Sequence, residues 1–339
     1  MVERVVEVKG LKKYFPVRRG LLTSIFSRVQ LYVRAVDGID FNIEKRQIFG
    51  LVGESGSGKT TTGRTILKLI EPTDGKILFE GKDITRLTEK EFKPLRRKMQ
   101  IIFQDPYESL NPKMTVLDII AEPLRIQKIT AEEKETEERV FRALEDVQLV
   151  PPEEFLYRYP HELSGGQRQR VAVARALVLR PDFIVADEPV SMLDASIRAE
   201  VLNLLFDIKE KYGVSFLYIT HDLALARHIC DVIAVMYLGK IVEMAPVEKL
   251  VYEPLHPYTR ALMAAVPSPD PAARRIKVVI KGEIPSPINP PSGCRFHTRC
   301  PECLGEPCRK IEPLLQQVSE DHWVACHLYS EARKSSRRR

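Results

Sequence analysis

The sequence predicts an α/β fold in which short buried strands alternate with helices. Apolar runs at 47–53, 183–186 and 213–220 have the length of buried strands. A glycine-rich loop joins the first of these runs to a helical stretch at 60–70. From 106 to 159, apolar residues instead recur at helical spacing with charged residues between them, which predicts a helical insertion between two strands.

Composition limits the class of protein. The 339 residues, 44% of them hydrophobic, are enough for one large or two ordinary packed domains. Residues 333–339 supply five of the net +6 charges, so the rest of the chain is nearly neutral and does not indicate nucleic-acid binding. No apolar run reaches the roughly 18 residues of a membrane helix, and the amino terminus is charged where a signal peptide would be apolar. The sequence therefore predicts a cytoplasmic protein.

The first predicted strand lies within residues 3–15, with a turn at Gly10. Tyr14 then stands at a strand end, where an aromatic ring can stack on a nucleobase or simply pack half-buried on the sheet. The glycine-rich loop that follows later in the chain favours base stacking over simple packing for Tyr14. Residues 17–34 mix basic and apolar residues, which fits a membrane-surface helix or, in our preferred interpretation, an arm packed on its own sheet.

The glycine loop GESGSGKT at 53–60 matches G-x-x-x-x-G-K-[ST] in the strand–loop–helix context of a phosphate-binding P-loop. Its glycines let backbone N–H groups converge on phosphate oxygens at a helix N-terminus. Lys59 is predicted to reach the β- and γ-phosphates, and the Thr60 hydroxyl to ligate Mg²⁺. The residues predicted to bind ATP here are Gly53, Ser55, Gly56, Ser57, Gly58, Lys59, Thr60 and Thr61.

The next elements are a hairpin over 76–84 that turns at Glu80 and Gly81, and a buried strand over 98–105. Gln104 follows that strand at the end where open α/β sheets bind ligands, although a lone Gln there is usually a loop residue. In the helical insertion, Thr130 and Glu133 have the spacing of a capping box for its longest helix.

The sequence LSGGQ predicts a second anion-binding helix start. Ser164 is a good N-cap, and Gly165 and Gly166 allow backbone amides to approach an anion closely. The apolar run that follows ends on Asp187 and Glu188, which occupy opposite-facing strand positions. We expect Asp187 to hold Mg²⁺, directly or through water, and Glu188 to polarise the attacking water.

His221 stands just beyond the strand at 213–220. A single loop histidine is usually a surface residue, but this position in a P-loop sheet favours a place near the γ-phosphate. Residues 229–245 predict two strands that turn at Leu238 and Gly239 and end the core. The chain then becomes proline-rich and leads into five of its six cysteines, which in a reducing compartment favour a metal site over disulfides.

Six features follow one another along the chain: GESGSGKT, Gln104, LSGGQRQR, VADEP, the turn at 191–194 and His221. The same order is found in ATP-binding subunits of ABC transporters, which the chain resembles over its whole length. HPYT at 256–259, the GEIPSP run and the cysteine pattern resemble the ATPases of oligopeptide/dipeptide importers. The resemblance implies a P-loop NTPase fold with an ABC-type RecA-like core, an antiparallel β subdomain, a helical subdomain and a small Cys-rich metal-binding extension. The implied domains are a catalytic core at 1–105 and 160–250, a helical subdomain at 106–159, a Pro-rich connection at 251–291, a cluster domain at 292–330 and a basic tail at 331–339.

The same resemblance implies a role for each matching residue. Tyr14 would stack on adenine, Gln104 would sense Mg²⁺ and the membrane subunit, and Glu188 would be the general base. The Mg²⁺ ligands would be Thr60, Gln104 and Asp187, and the catalytic group Glu188, His221 and Gln104. The residues that contact the nucleotide of a facing subunit would be Ser164, Gly165, Gly166, Gln167 and Asp194.

The implied function is an ATPase that powers import of di- or oligopeptides or related solutes through ATP-driven dimerisation of two cassettes. Its partners would be a second ATP-binding subunit, either the same chain or a sister chain, two transmembrane permease subunits and, indirectly, an extracellular solute-binding protein. The chain would then lie on the inner face of the cell membrane. One alternative is a soluble ABC ATPase acting on nucleic acid or ribosomes, but such proteins usually carry tandem cassettes or a long coiled-coil insertion. A regulatory module that binds ATP without hydrolysis is disfavoured by Glu188 and His221.

The resemblance also implies a cofactor bound by the cysteines. By resemblance, a [4Fe–4S] cluster would be held by four thiolates. Cys303 stands where the family usually has a small residue, so either Cys303 or Cys308 could be the third ligand. Zinc is the rival, since Cys300-x-x-Cys303 is a zinc spacing and three histidines are near. The preferred ligand set is Cys294, Cys300, Cys308 and Cys326.

Overall fold

A computed structural model describes residues 3–17, 30–265, 280 and 282–330. Residues 18–29 of the predicted arm, 266–279 and 281 of the predicted connection and the predicted tail at 331–339 lie outside the described residues. The chain divides into two compact units. Unit 1 comprises Met1–Val6, Ile43–Ile48 and Phe79–Ile219, and unit 2 comprises Glu7–Asn42, Phe49–Leu78 and Thr220–Arg339.

The described elements follow the α/β order that the sequence predicts. The strands are β1 (Arg4–Pro16), β2 (Tyr32–Glu44), β3 (Ile48–Val52), β4 (Asp74–Phe79), β5 (Lys82–Asp83), β6 (Met99–Ile102), β7 (Phe183–Asp187), β8 (Ser215–Thr220), β9 (Val232–Tyr237), β10 (Lys240–Pro246), β11 (Gln316–Ser319) and β12 (His322–Val324). The helices are α1 (Lys59–Ile66), α2 (Glu89–Phe92), α3 (Pro106–Ser109), α4 (Val116–Gln127), α5 (Glu133–Asp146), α6 (Gly165–Leu177), α7 (Ala195–Tyr212), α8 (Leu223–Ile229), α9 (Val247–Tyr252), α10 (Pro257–Ala265) and α11 (Glu306–Lys310). None of the helices in these described ranges is long and apolar enough to cross a membrane.

In unit 2, the main group of strands has the order β11-β12-β10-β9-β3. β3 runs parallel to β9, with Phe49 opposite Val232, whereas β9 and β10 form the predicted hairpin. Its turn residues Leu238 and Gly239 have φ values of 42° and 81°, as a tight hairpin turn requires. β12 then pairs antiparallel with β10, so the sheet continues into the cysteine-rich segment instead of ending at 245.

A second set of strands in unit 2 has the order β2-β1-β4. The predicted turn at Gly10 is wrong, because β1 continues unbroken for 13 residues. Gly10 takes a φ of 56° inside the strand, and its N–H donates to Asp40 Oδ1 at 2.8 Å. A glycine in a strand interior often marks such an irregularity or a close backbone approach. Both apply here, since a methyl group on Gly75 would stand 2.5 Å from the Gly10 carbonyl oxygen.

In unit 1, β8, β7 and β6 are neighbours and run parallel, and β7 is buried along its whole length. Helices α4, α5 and α6 pack on one another, and α4 and α5 are the two longest helices within the predicted insertion. The predicted capping box of Thr130 and Glu133 is wrong. The Thr130 hydroxyl bonds to the Thr136 hydroxyl at 2.6 Å, and α5 starts after Glu132, whose side chain makes no capping hydrogen bond.

The first part of the predicted connection at 251–291 is helical and partly buried. Pro257 occupies the first residue of α10, a position that suits proline because its missing N–H has no helical acceptor. Tyr258 is fully buried, with its ring centroid 4.8 Å from that of Tyr237 and 5.3 Å from that of Phe296. The aromatic cluster therefore attaches α10 to β9 and to the cysteine-rich segment.

A buried carboxylate links three parts of unit 2. Glu243 of β10 is 0% exposed, and its oxygens accept from the N–H groups of Leu255 and His256, each at 2.8 Å. His322 Nε2 of β12 lies 2.8 Å from the same carboxylate. The buried charge is thus surrounded by hydrogen-bonding groups, which offset its desolvation.

His256 should make the stability of the fold fall in acid. Burial lowers the pKa of His256 to about 4, although Glu243 opposes the shift, and its Nδ1 accepts the Tyr258 N–H at 3.0 Å. Because the unfolded chain binds this proton near pH 6.5, stability is fully present above that pH and is lost progressively towards pH 4, by about 3 kcal/mol in total. Urea unfolding at a series of pH values measures the loss. His256→Asn keeps an acceptor oxygen near the Tyr258 N–H and should flatten this part of the profile; an unchanged profile would contradict the assignment.

Candidate nucleotide site

The P-loop of unit 2 follows β3 and leads directly into α1, as the motif predicts. Lys59, the first residue of α1, is 5% exposed, and its Nζ donates to the carbonyl oxygens of Gly53 at 2.8 Å and Glu54 at 3.0 Å. Methyl groups on Gly53 and Gly58 would stand 2.1 and 2.0 Å from neighbouring backbone carbonyl oxygens. Glycine is therefore required at both positions by the close packing of the loop.

The start of α1 suits an anion. Gly58 precedes the helix with a φ of 108°, and it offers no side chain to accept the first N–H groups of the helix. Thr60 and Thr61 lie in the first turn, next to Lys59. Backbone N–H groups, the helix dipole and an ammonium group thus meet at one end of α1, which is the chemistry of a phosphate site. The hydroxyl oxygen of Thr60 is also a ligand of the kind that Mg²⁺ prefers.

Tyr14 belongs to the same unit as the P-loop. Its hydroxyl donates to Asp37, and burial together with this contact raises the pKa of Tyr14 to about 12, so the phenol stays neutral. Burial alone would raise the pKa of Asp37, but Tyr14 and Arg295 outweigh it and lower the pKa. The Asp37 N–H donates to the Gly239 carbonyl at 2.9 Å, and the Gly239 N–H donates to the Ser57 carbonyl at 2.8 Å. Tyr14 is thereby connected to the P-loop through hydrogen bonds.

Unit 1 brings Gln104 and Glu188 together. Asp187, the last residue of β7, is 2% exposed, and Glu188 follows it with a left-handed φ of 48°. The Glu188 N–H donates to the Ile219 carbonyl of β8 at 2.9 Å. Gln104 Nε2 donates to Glu188 Oε2 at 3.1 Å. A non-glycine residue held at positive φ is uncommon and is often found at functional sites.

The LSGGQ helix start also lies in unit 1. Ser164 caps α6: its hydroxyl accepts from the Gln167 N–H at 3.3 Å, and the Gln167 side chain accepts from the Ser164 N–H at 3.0 Å. A methyl group on Gly166 would stand 2.7 Å from Ile197 in α7, whereas one on Gly165 would meet only a side-chain atom at 3.7 Å. Ser164 is exposed, as is Asp194 at the N-cap of α7.

His221 is exposed and directly follows β8. The next residue, Asp222, caps α8 by accepting the Ala224 N–H at 2.9 Å. The histidine is therefore carried on a short, well-defined turn between a buried strand and a capped helix.

The cysteines do not form the metal site that the resemblance implies. Across 3–17, 30–265 and 282–330, no three His, Cys, Asp or Glu side chains stand where they could share a metal ion. Burial raises the pKa of Cys294 to about 11 and those of Cys300 and Cys326 to about 12, so these thiols are protonated in the metal-free protein. The Cys308 sulfur accepts the Leu304 N–H at 3.4 Å. As arranged here, the residues do not fit the group.

Sequence reasoning missed the polar residues that surround the P-loop. Asp37, Arg295 and Arg299 carry ion pairs, and Glu54 is the second residue of the loop itself. Glu54 stands at a variable position of the motif. The only sequence feature that points to Arg295 and Arg299 is that both are basic residues between two cysteines of the carboxy-terminal cysteine pattern.

Comparison with known proteins decides the family. Residues 36–191 match the family model described as "ABC transporter", and residues 242–308 match "Oligopeptide/dipeptide transporter, C-terminal region". The oligopeptide transport ATP-binding protein AppF of Bacillus subtilis is 48% identical over 332 residues, which cover 97% of this chain and 98% of AppF. The chain belongs to the ABC transporter family. It is an ATPase subunit of that family.

Solved structures agree with this membership. The ABC subunit resembles the ATP-binding cassette MJ0796, solved as a dimer in a post-hydrolysis state with ADP and Pi, at a TM-score of 0.62 and 29% identity over 71% of this chain and 98% of that chain. It resembles cbiO1 from Clostridium perfringens, part of the cbiONQ complex, at a TM-score of 0.63 and 27% identity over 74% and 92%. The predicted P-loop cassette fold is confirmed, and the nucleic-acid alternative has no support.

Proposed function

We propose that this ABC ATPase powers the import of di- or oligopeptides. The observation that carries the proposal is the match of residues 242–308 to the oligopeptide/dipeptide transporter C-terminal region, together with AppF, which is named an oligopeptide transport protein. The chain would pair with a second ATP-binding subunit and act on two transmembrane permeases on the inner face of the membrane. An extracellular solute-binding protein would deliver the peptide.

In the proposed mechanism, the P-loop binds the phosphates of ATP and Tyr14 stacks on adenine. Lys59 would exchange the carbonyls of Gly53 and Glu54 for phosphate oxygens, which are stronger acceptors for an ammonium group. The proposed Mg²⁺ ligands are oxygen atoms, as that ion prefers: in unit 2 the Thr60 hydroxyl, and in unit 1 the side chains of Asp187 and Gln104. When bound, the ion would neutralise charge that develops on the phosphates.

Glu188 is proposed as the general base for the attacking water. Its contact with Gln104 supports this role, because the amide that donates to Glu188 Oε2 at 3.1 Å holds the carboxylate in one orientation, and a positioned carboxylate can accept a proton from the attacking water. His221 would contact the γ-phosphate region. Ser164–Gln167 and Asp194 would serve the nucleotide of the facing subunit, and the exposure of Ser164 and Asp194 suits contacts across a dimer interface.

Uptake of a labelled tripeptide tests the peptide proposal. Cells that lack this chain should lose uptake, wild-type chain should restore it, and Glu188→Gln chain should not. Uptake of nickel and of an oligosaccharide is measured in parallel. Loss of either of these with peptide uptake intact would replace the peptide proposal, and loss of none would overturn the import role.

An iron–sulfur cluster in the cysteine-rich segment, with zinc as its rival, is a proposal that requires the cysteines to move from the arrangement described above. Its support is the sequence, in which five cysteines lie between 294 and 326. Metal and sulfide analysis of anaerobically purified protein tests it. Iron and sulfide near four per chain would support the cluster. Stoichiometric zinc would select the rival, and protein free of both would end the proposal.

A further inference from the structure

Two arginines of the cysteine-rich segment reach back to the residues around the P-loop. Arg295 and Arg299 lie between Cys294 and Cys300, and their side chains are only 7% and 10% exposed. Burying a guanidinium group is costly unless acceptors take its N–H groups. The acceptors of each arginine therefore identify what that arginine holds in place.

Arg299 holds the P-loop. Its Nη1 donates to Glu54 Oε2 at 2.8 Å and its Nη2 to Glu54 Oε1 at 3.3 Å, a two-pronged ion pair. The Glu54 N–H donates to the Tyr258 hydroxyl at 3.0 Å, and the Glu54 carbonyl accepts from Lys59 Nζ at 3.0 Å. Glu54, whose carbonyl accepts from Lys59, is thus held through its side chain by Arg299 and through its backbone N–H by Tyr258.

Arg295 acts by a separate route. It donates to the carboxylate of Asp37, which also accepts the Tyr14 hydroxyl. It also donates to the backbone carbonyl just before Gly239, whose N–H donates to the Ser57 carbonyl. Arg295 therefore contacts both Asp37, which accepts the Tyr14 hydroxyl, and the turn at Leu238 and Gly239, which is hydrogen-bonded to the P-loop.

We propose that Arg295 and Arg299 are positioning residues for ATP, through which the cysteine-rich segment sets the shape of the P-loop and the orientation of Tyr14. The inference rests on the proposed binding of ATP by the P-loop and Tyr14. Neither arginine needs to touch the nucleotide, because Glu54 and Asp37 transmit the effect. Any change in the conformation of residues 294–300 should then change the affinity of the protein for nucleotide.

Replacing Arg299 tests the inference on the intact protein. Arg299→Ala should weaken binding of a fluorescent ATP analogue about tenfold and raise KM for ATP similarly, with kcat at saturating ATP changed less than about twofold. Arg299→Lys keeps the charge without the two-pronged geometry and should give an intermediate loss. Arg309→Ala removes the same charge from an exposed position in α11 and should bind like wild type.

Glu54→Gln removes the same ion pair from the loop side and decides the matter if Arg299→Ala does not fold. The double variant should bind no more weakly than the weaker single variant, because both lose one shared contact. Affinities of Arg299→Ala and Glu54→Gln within about twofold of wild type, in protein that melts like wild type, would overturn the positioning role. If wild type itself does not bind the analogue, the proposed ATP site falls and takes the inference with it. If wild type binds and the variants match it, only the inference falls.

Discussion

A Glu188→Gln variant is expected to bind ATP like wild type and to lose at least about a hundredfold in kcat. The amide matches the carboxylate in size but cannot accept a proton from the attacking water. Binding should survive because the substitution leaves Lys59 and the start of α1, the groups proposed to hold the phosphates, unchanged. If the proposed pairing of two cassettes holds, the variant should also accumulate as an ATP-bound dimer, because the hydrolysis proposed to separate the pair would be blocked.

Three measurements check this prediction. Phosphate release gives kcat, a fluorescent ATP analogue gives affinity, and light scattering with and without ATP gives the oligomeric state. Glu200→Gln is the matched control, since Glu200 is an exposed glutamate of unit 1 that pairs with Arg170 at 2.9 Å. Hydrolysis in the Glu188 variant equal to that of the control would remove Glu188 from the role of base.

The Gln104 contact sharpens the interpretation of that result. Gln104 Nε2 reaches the Glu188 carboxylate at 3.1 Å, so Gln104→Ala should lower kcat by releasing the base. It leaves the carboxylate in place, and its effect should be smaller than that of Glu188→Gln. Combined with Glu188→Gln, it should add little, because both changes act on the same group.

The sequence predicts the elements whose signals are local. β3, the P-loop and α1 follow from a glycine pattern between an apolar run and a helical run, and α6 follows from a serine N-cap before two glycines. Each depends on contacts within a few residues. The turn of the β9–β10 hairpin is found for the same reason, because its conformation is set by Leu238 and Gly239 themselves.

The sequence cannot predict features that depend on distant partners. β12 is only three residues long, and it is a strand because β10 offers it a free edge nearly 80 residues earlier in the chain. Gly10 has the pattern of a turn, yet the neighbouring Gly75 lets two strands approach so closely that β1 continues. Arg299 and Glu54 lie 245 residues apart, and no local pattern connects them.

Substituting Gly58 should be the most damaging single change in the P-loop. A methyl group there would stand 2.0 Å from the Ala35 carbonyl oxygen of β2 and 2.8 Å from a Met236 side-chain atom, and the φ of 108° disfavours any L side chain. The backbone oxygen belongs to a paired strand and cannot move away easily. We therefore expect Gly58→Ala to shift the start of α1 by up to about 1 Å and to weaken ATP binding about a hundredfold or more.

Gly56→Ala separates this clash from backbone strain. Gly56 also has a positive φ, 77°, but a methyl group there meets no atom within 4 Å. A left-handed alanine costs roughly 1–2 kcal/mol, so this variant should lose no more than about thirtyfold in affinity. Binding of a fluorescent ATP analogue and thermal melting are measured for both variants. Equal losses would show that φ strain alone governs the loop. A Gly58→Ala protein that melts like wild type but does not bind would show that the packing of β2 against the loop exists to shape the phosphate site.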